Sequence, residues 1–212
     1  MKQIYPDLWQ TAVEMRFGTM NSHAYLLRHR EGNVLFYQIE NVSEIDEIRN
    51  LGSVSFQYLS HNHEILPTLE NSRESIGAKL CGHSKMAPYF KDAAGLDVEF
   101  ETSDTEIHAG GLEVIFTPGH TDNNTCYRYK SPHGKTYLFT GDTIWQDHGE
   151  WRTLIFSQHG GNAHDLKQTL LRLRRLDVDI LICSVSVGKT QIVEVNKSEW
   201  EEIIDGLVEE LP

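Results

Sequence analysis

The chain has 212 residues and a formal net charge of −12, a balance that repels phosphate backbones and anionic bilayers and argues against general nucleic-acid or membrane-surface binding. An apolar fraction of 39% beside 24% charged residues fits an ordinary globular protein, read here as one domain over residues 1–212. The three cysteines, Cys81, Cys126 and Cys183, are scattered with no C-x-x-C pair, which argues against a disulfide framework and leads us to expect a cytoplasmic protein.

The first residues, Met1 to Asp7, lack the apolar run of a secretory signal, and no stretch approaches the ~20 apolar residues that span a bilayer. Ser22 to His29 and Asn33 to Gln38 flank a turn-like Arg30-Glu31-Gly32 and predict a hairpin. A short helix is expected next, with Ser43 as N-cap and Asp46 three residues on, stopped by Gly52. Val54 to Ser60 is rich in β-branched and aromatic residues and reads as a strand. A helix after Pro67, a short strand at Lys79 to Cys81 and a helix from Lys85 to Ala94 follow. Gly110-Gly111 separates two strand-like runs, Thr105 to Ala109 and Leu112 to Phe116, and a second hairpin is expected from Cys126 to Tyr129 and Thr136 to Phe139.

Ala163 to Leu176 gives the clearest helical period. Leu166, Leu170 and Leu173 share a face, and Arg172, Arg174 and Arg175 fall in the expected last turns, where cations favour the negative helix end. Asp179 to Cys183 reads as an apolar strand, and Ser198 with Glu201 predicts a capping box for a final helix, Glu199 to Leu211. Strands and helices alternate with hairpins interspersed, which points to mixed sheets covered by helices, an α/β class.

Three apolar strands each run into a short polar cluster: Ser60-His61-Asn62-His63, Thr117-Pro118-Gly119-His120-Thr121 and Thr140-Gly141-Asp142-Thr143. Ligands gather at strand ends in α/β sheets. In an extended segment, residues i and i+2 point to one side, so His61 and His63 are expected to aim at a common ion. Imidazole nitrogens with an added carboxylate make a mixed N/O set that suits zinc, iron or nickel. His120 and Asp142 follow glycines, which allow close backbone approach.

In motif order these segments resemble the metallo-β-lactamase superfamily along nearly the whole chain. The Asn21-Ser22-x-x-Tyr25-Leu26 hairpin, the His61-Asn62-His63 cluster, the Thr-Pro-Gly-His-Thr and Gly-Asp-Thr segments, and the long helix leading to the strand at Cys183 carry the likeness. The resemblance implies a four-layer αβ/βα sandwich with two mixed sheets and the helices outside. It also implies a first metal site of His61, His63, His120 and Asp142. The residues that would build a second site are replaced: Ile65 and Leu66 stand where the family motif has Asp and His, and Val185 stands near the terminal His.

The expectation is therefore one divalent ion per chain, zinc, with iron as the alternative. A single zinc lowers the pKa of a coordinated water to about 7, so hydrolysis with one ion is feasible. Four protein ligands, however, are typical of structural zinc, and Asp142 would serve as a ligand or a base. Glu64 should point away from His63 in an extended segment and reads as a solvated or hydrogen-bonded loop residue. His83, His148, His159 and His164 are weighed as substitute ligands and read as ordinary surface or satisfied histidines.

Two motifs are set aside. His61-Asn62-His63 suggests an H-N-H nuclease, against the acidic charge. Val187-Gly188-Lys189-Thr190 suggests a phosphate loop, but Gln191 to Val195 reads as strand where a helix is needed. The functional expectation is a metal-dependent hydrolase acting on a small ester, thioester, lactone or phosphoester. The alternatives are a non-catalytic or regulatory module with a structural metal, and redox chemistry at a single iron, as in persulfide-oxidising relatives. The expected partner is a small molecule.

Overall fold

The computed structural model describes every residue except 15, 92–94 and 189–191. The chain divides into two compact units, Met1–Glu101 and Thr102–Pro212.

The first unit carries β1 (Lys2–Tyr5), β2 (Leu8–Gln10), a small hairpin of β3 (Arg16–Phe17) and β4 (Met20–Ser22), then β5 (Tyr25–Leu27), β6 (Asn33–Phe36), α1 (Ser43–Asn50), β7 (Val54–Tyr58), α2 (Leu69–Ile76), β8 (Lys79–His83) and β9 (Val98–Phe100). Its main sheet runs β1-β2-β5-β6-β7-β8-β9. The pairs from β1 to β6 are antiparallel, and those from β6 to β9 are parallel. The switch follows from the connections. A short turn returns β5 to β6 alongside itself, whereas α1 and α2 supply the crossovers that parallel neighbours need. Helix α1 turns Ile45 and Ile48 onto Leu26, Leu35 and Val54 of the sheet. A second apolar cluster gathers Leu59, Leu69, Leu80, Met86 and Phe90, with Ile65 packed against it.

The second unit carries β10 (Thr105–His108), β11 (Leu112–Phe116), β12 (Thr125–Lys130), β13 (Thr136–Gly141), β14 (Trp145–Asp147), β15 (Glu150–Arg152), α3 (Ala163–Leu173), β16 (Ile180–Cys183), β17 (Val185–Val187), β18 (Ile192–Glu194) and α4 (Lys197–Glu209). Its sheet runs β10-β11-β12-β13-β16-β18. The first four strands form an antiparallel meander. Strand β16 then lies parallel to β13 after the α3 crossover, and β18 is antiparallel to β16. Strand β14 pairs antiparallel with β15 and parallel with β17. Leu166, Leu170 and Leu173 of α3 meet Trp200, Ile204 and Leu207 of α4 in one buried cluster. The Trp200 indole donates to the Leu173 carbonyl at 3.1 Å, so the large ring is buried with its polar atom satisfied.

Both predicted hairpins of the meander and the β5–β6 hairpin form as expected. The helix ends differ. Ser43 is the first helical residue of α1 and not its cap; Asn41 Oδ1 instead accepts from the Ser43 backbone N–H at 3.2 Å and from its hydroxyl at 2.7 Å. The capping box of α4 is Asn196 with Glu199, two residues ahead of the expected pair, because asparagine outcompetes the backbone there as readily as serine. Helix α3 is capped by Asn162 and ends at Leu173, so Arg174 and Arg175 lie past its last turn; Arg174 turns to Asp205 at 2.7 Å. The expected helix at Lys85 is a 3₁₀ segment, Ser84–Tyr89, with Pro88 inside it, and residues 92–94 of that expectation lie outside the described residues. Proline removes an amide donor that a continuous α-helix requires. Lys189 and Thr190 of the loop motif also lie outside the described residues, and Ile192–Glu194 is strand.

Candidate metal centre

In the first unit, β7 ends at Tyr58 and the chain passes through Leu59 and Ser60 to His61. His61 has extended backbone, but Asn62–Glu64 is a 3₁₀ turn, so the expected extended alternation does not hold. The turn brings the imidazoles together by another route, with the ring centres of His61 and His63 4.7 Å apart and nearly perpendicular. The same turn swings Glu64 inward. Its side chain is buried, and Oε1 accepts the Ser60 backbone N–H at 3.0 Å and the Ser60 hydroxyl as well.

That contact fixes a histidine tautomer. A carboxylate can only accept, so the Ser60 hydroxyl spends its proton on Glu64 and accepts in turn from Nδ1 of His61, 2.9 Å away. Nδ1 then carries the hydrogen, and the buried Nε2 presents its lone pair. Glu64 is thus no solvated loop residue. The signal for it was the 3₁₀ turn, which neither spacing nor composition announces.

In the second unit, β11 leads into the segment with His120, and β13 leads to Asp142. Gly119 adopts φ +140°, and a Cβ on it would stand 2.3 Å from the Leu166 backbone, so only glycine lets α3 seat against this turn. Buried polar side chains join the two turns: the Asn124 amide donates to Thr117 Oγ1 at 3.1 Å and to Thr143 Oγ1 at 2.5 Å. Nδ1 of His120 lies 2.8 Å from the Leu154 carbonyl, which can only accept, so this ring too is protonated at Nδ1 and offers a buried Nε2. Its Nε2 stands 3.8 Å from Oδ2 of Asp142. The other oxygen of Asp142, Oδ1, accepts the hydroxyl of Ser184, a residue the sequence did not single out.

His61, His63, His120 and Asp142 each offer one ligand atom, and these atoms lie within 4.8 Å of one another. Two of the four residues are buried and two are partly exposed. The residues fit a divalent ion on chemistry: nitrogen and carboxylate donors of the zinc and iron type, with two imidazoles already held in the tautomer that coordinates through Nε2. Among the described residues, no other cluster of histidine, cysteine or acidic side chains of this kind occurs.

The remaining histidines lie outside the group. His83 accepts from the Lys85 backbone N–H at 3.2 Å, His148 pairs with Asp147 at 2.7 Å, His159 stacks on Phe156, and His164 is exposed on α3. Of the apolar residues expected to stand in place of a second ion's ligands, Ile65 packs against the Leu59 cluster and Val185 is buried in β17.

A model of the metallo-beta-lactamase superfamily matches residues 56–185. Solved structures give the same fold. A metallo-beta-lactamase from Pontibacter korlensis is 20% identical, with a TM-score of 0.69 over 96% of this chain and 97% of that one. The VMB-1 structure is 14% identical, with a TM-score of 0.71 over 97% and 95%. A Cronobacter sakazakii metallo-beta-lactamase described by its HARLDQ motif is 19% identical, with a TM-score of 0.60 over 86% and 76%. No curated protein matches the sequence.

Proposed function

Because the chain belongs to the metallo-β-lactamase superfamily, we propose that it is a metal-dependent hydrolase using one divalent ion, zinc or iron, on a small ester, thioester, lactone or phosphoester. The observation that carries this reading is the donor group of His61, His63, His120 and Asp142, within 4.8 Å and with two members partly exposed. Four protein donors are the usual count of a structural zinc site, so catalysis would need the ion to take a further ligand on the side of its partly exposed residues.

When bound, the ion supplies Lewis acidity to the scissile group and to water. The chain's own residues do the rest. His61 and His120 present Nε2 because Ser60 and the Leu154 carbonyl hold their Nδ1 hydrogens. Asp142 has one oxygen held by Ser184 and the other turned to His120, which suits a ligand better than a base. With Ile65, Leu66 and Val185 apolar, we assign a single ion. A reducing, cytoplasmic setting fits the three free, buried cysteines.

The packing of Ile65 into a hydrophobic cluster favours a second reading, a non-catalytic module with a structural ion. One experiment separates the two. The full chain is purified with zinc or iron(II), its metal content is measured against His120→Ala, and it is assayed on p-nitrophenyl acetate, a γ-lactone and bis-p-nitrophenyl phosphate. Turnover that tracks metal content supports the hydrolase. Full metal occupancy with no turnover on any substrate assigns the structural role.

A further inference from the structure

Helix α3 borders a cavity of about 410 Å³ that lies wholly within the second unit, a size that suits a small molecule. Ser103, Pro118, Asp165, Gln168, Arg172 and Arg175 are among the residues that line it. The N–H of Arg175 bonds the Arg172 carbonyl at 3.2 Å, so the turn that closes the helix carries both arginines to one cavity. Like charges three residues apart disfavour one another unless an anion answers them.

The donors of this pair are only partly used. Arg172 gives one Nη to Asp104 at 2.7 Å and the other to the Phe116 carbonyl, but its Nε is buried with no partner. A buried donor of that kind is costly and calls for an acceptor. Arg175 is exposed and has no ion pair among the described residues, whereas neighbouring Arg174 is held by Asp205 and Lys197 by Glu201. Asp104 therefore offsets one of the two charges, and the other stands uncompensated.

The rest of the lining agrees with an anion at this end. The carbonyls of Leu170, Arg172 and Leu173 already accept the N–H groups of Arg174, Arg175 and Leu176, so the negative end of α3 is not bare. The acid of the lining, Asp165, stands about 10 Å back from Arg172 along the axis at 1.5 Å per residue, and its Oδ2 accepts the Asn162 amide at 2.7 Å. Thr169, also in the lining, donates to the Pro118 carbonyl at 2.7 Å, so the cavity adjoins the turn that carries His120.

We propose that this cavity is an oxyanion site, in which Arg175 and the Nε–H of Arg172 take the carboxylate or phosphate group of a small molecule. The site draws on none of the four candidate metal ligands and is independent of the hydrolase reading.

The test follows the arginine Nε–H signals of the zinc-loaded, nitrogen-15-labelled full chain by NMR. Inorganic phosphate and succinate are titrated separately, with ionic strength held constant by chloride. The signals of Arg172 and Arg175 should shift together and saturate with at least one of the two. Saturation with phosphate assigns a phosphate group to the occupant, and saturation with succinate assigns a carboxylate. Arg175→Gln, with its urea midpoint unchanged, should weaken that binding about tenfold or more, as loss of a hydrogen bond to a charged group implies. Arg175→Lys keeps the charge without the planar fork and should recover only part of the loss. Shifts that grow without saturating, or that chloride alone reproduces, overturn the proposal. An affinity unchanged in Arg175→Gln puts the anion elsewhere, the metal centre included, and also overturns it.

Discussion

The carboxylate of Glu64 accepts the backbone N–H of Ser60 at 3.0 Å and binds the serine hydroxyl as well, closing a five-residue loop that contains His61. Replacing Glu64 by alanine strands a buried amide, which costs about 1–3 kcal/mol. It also frees the Ser60 hydroxyl to turn away from Nδ1. We expect Glu64→Ala to unfold at lower urea and to bind zinc roughly 10–100-fold more weakly, the usual loss when a ligand's supporting partner is removed. Competition with a zinc-chelating dye reads the second effect. Unchanged zinc affinity in a folded variant would show that Glu64 only braces the turn.

Ser184 does for Asp142 what Ser60 does for His61. Its hydroxyl donates to Oδ1, leaving Oδ2 near His120. Ser184→Ala should leave the fold intact and weaken zinc binding by about tenfold. Ser184→Thr, which keeps the hydroxyl, should recover most of that loss.

Gly161 sits where a Cβ would approach the His120 carbonyl oxygen to 2.2 Å and that of Gly119 to 2.7 Å. The Gly119–His120 backbone and the segment of Gly161 would have to move apart to admit a methyl group. Gly161→Ala should therefore cost about 1–3 kcal/mol from overpacking and reduce metal content together with stability. Elemental analysis of the purified variant beside a denaturation curve checks both. A variant with full metal content and normal stability would contradict the tight approach.

Burial pushes the Cys81 thiol up from its ordinary 9.0, with Asp97 adding to the shift and Lys79 opposing it; Cys126 and Cys183 are raised by burial too. The folded chain holds these protons to a higher pH than the unfolded chain does. The stability tied to them is complete below pH 9.0 and is lost as pH rises through the raised folded values. The urea midpoint should fall as pH rises above 9.0, and less steeply in Cys81→Ala. Below pH 9 the native thiols should resist alkylation, because thiolate and access are both lacking. Rapid labelling of native Cys81 at pH 8 would refute this.

Much of this arrangement was legible in the sequence. The leucines of α3, the Gly110-Gly111 hairpin and the meander strands were marked by periodicity and turn chemistry, signals that belong to neighbouring residues. The set of four candidate ligands came from the resemblance to the metallo-β-lactamase motifs. What stayed hidden depended on backbone shape or distant contact. Spacing marked two histidines whose rings do meet, but through a 3₁₀ turn and not the extended strand expected. Glu64, expected to be solvated or hydrogen-bonded, is hydrogen-bonded and buried. Ser184 was invisible because its partner lies 42 residues away. The cap of α4 shifted because the Asn196 side chain, and not Ser198, accepts the free amide of the first turn.

Ile65 follows the ligand turn and packs into the cluster of Leu59, Leu69 and Leu80. An aspartate there would thrust an ionised group against hydrocarbon, at a penalty of several kcal/mol unless it found a counter-charge. Ile65→Asp is therefore expected to weaken the domain unless a bound cation or a basic side chain answers the new charge.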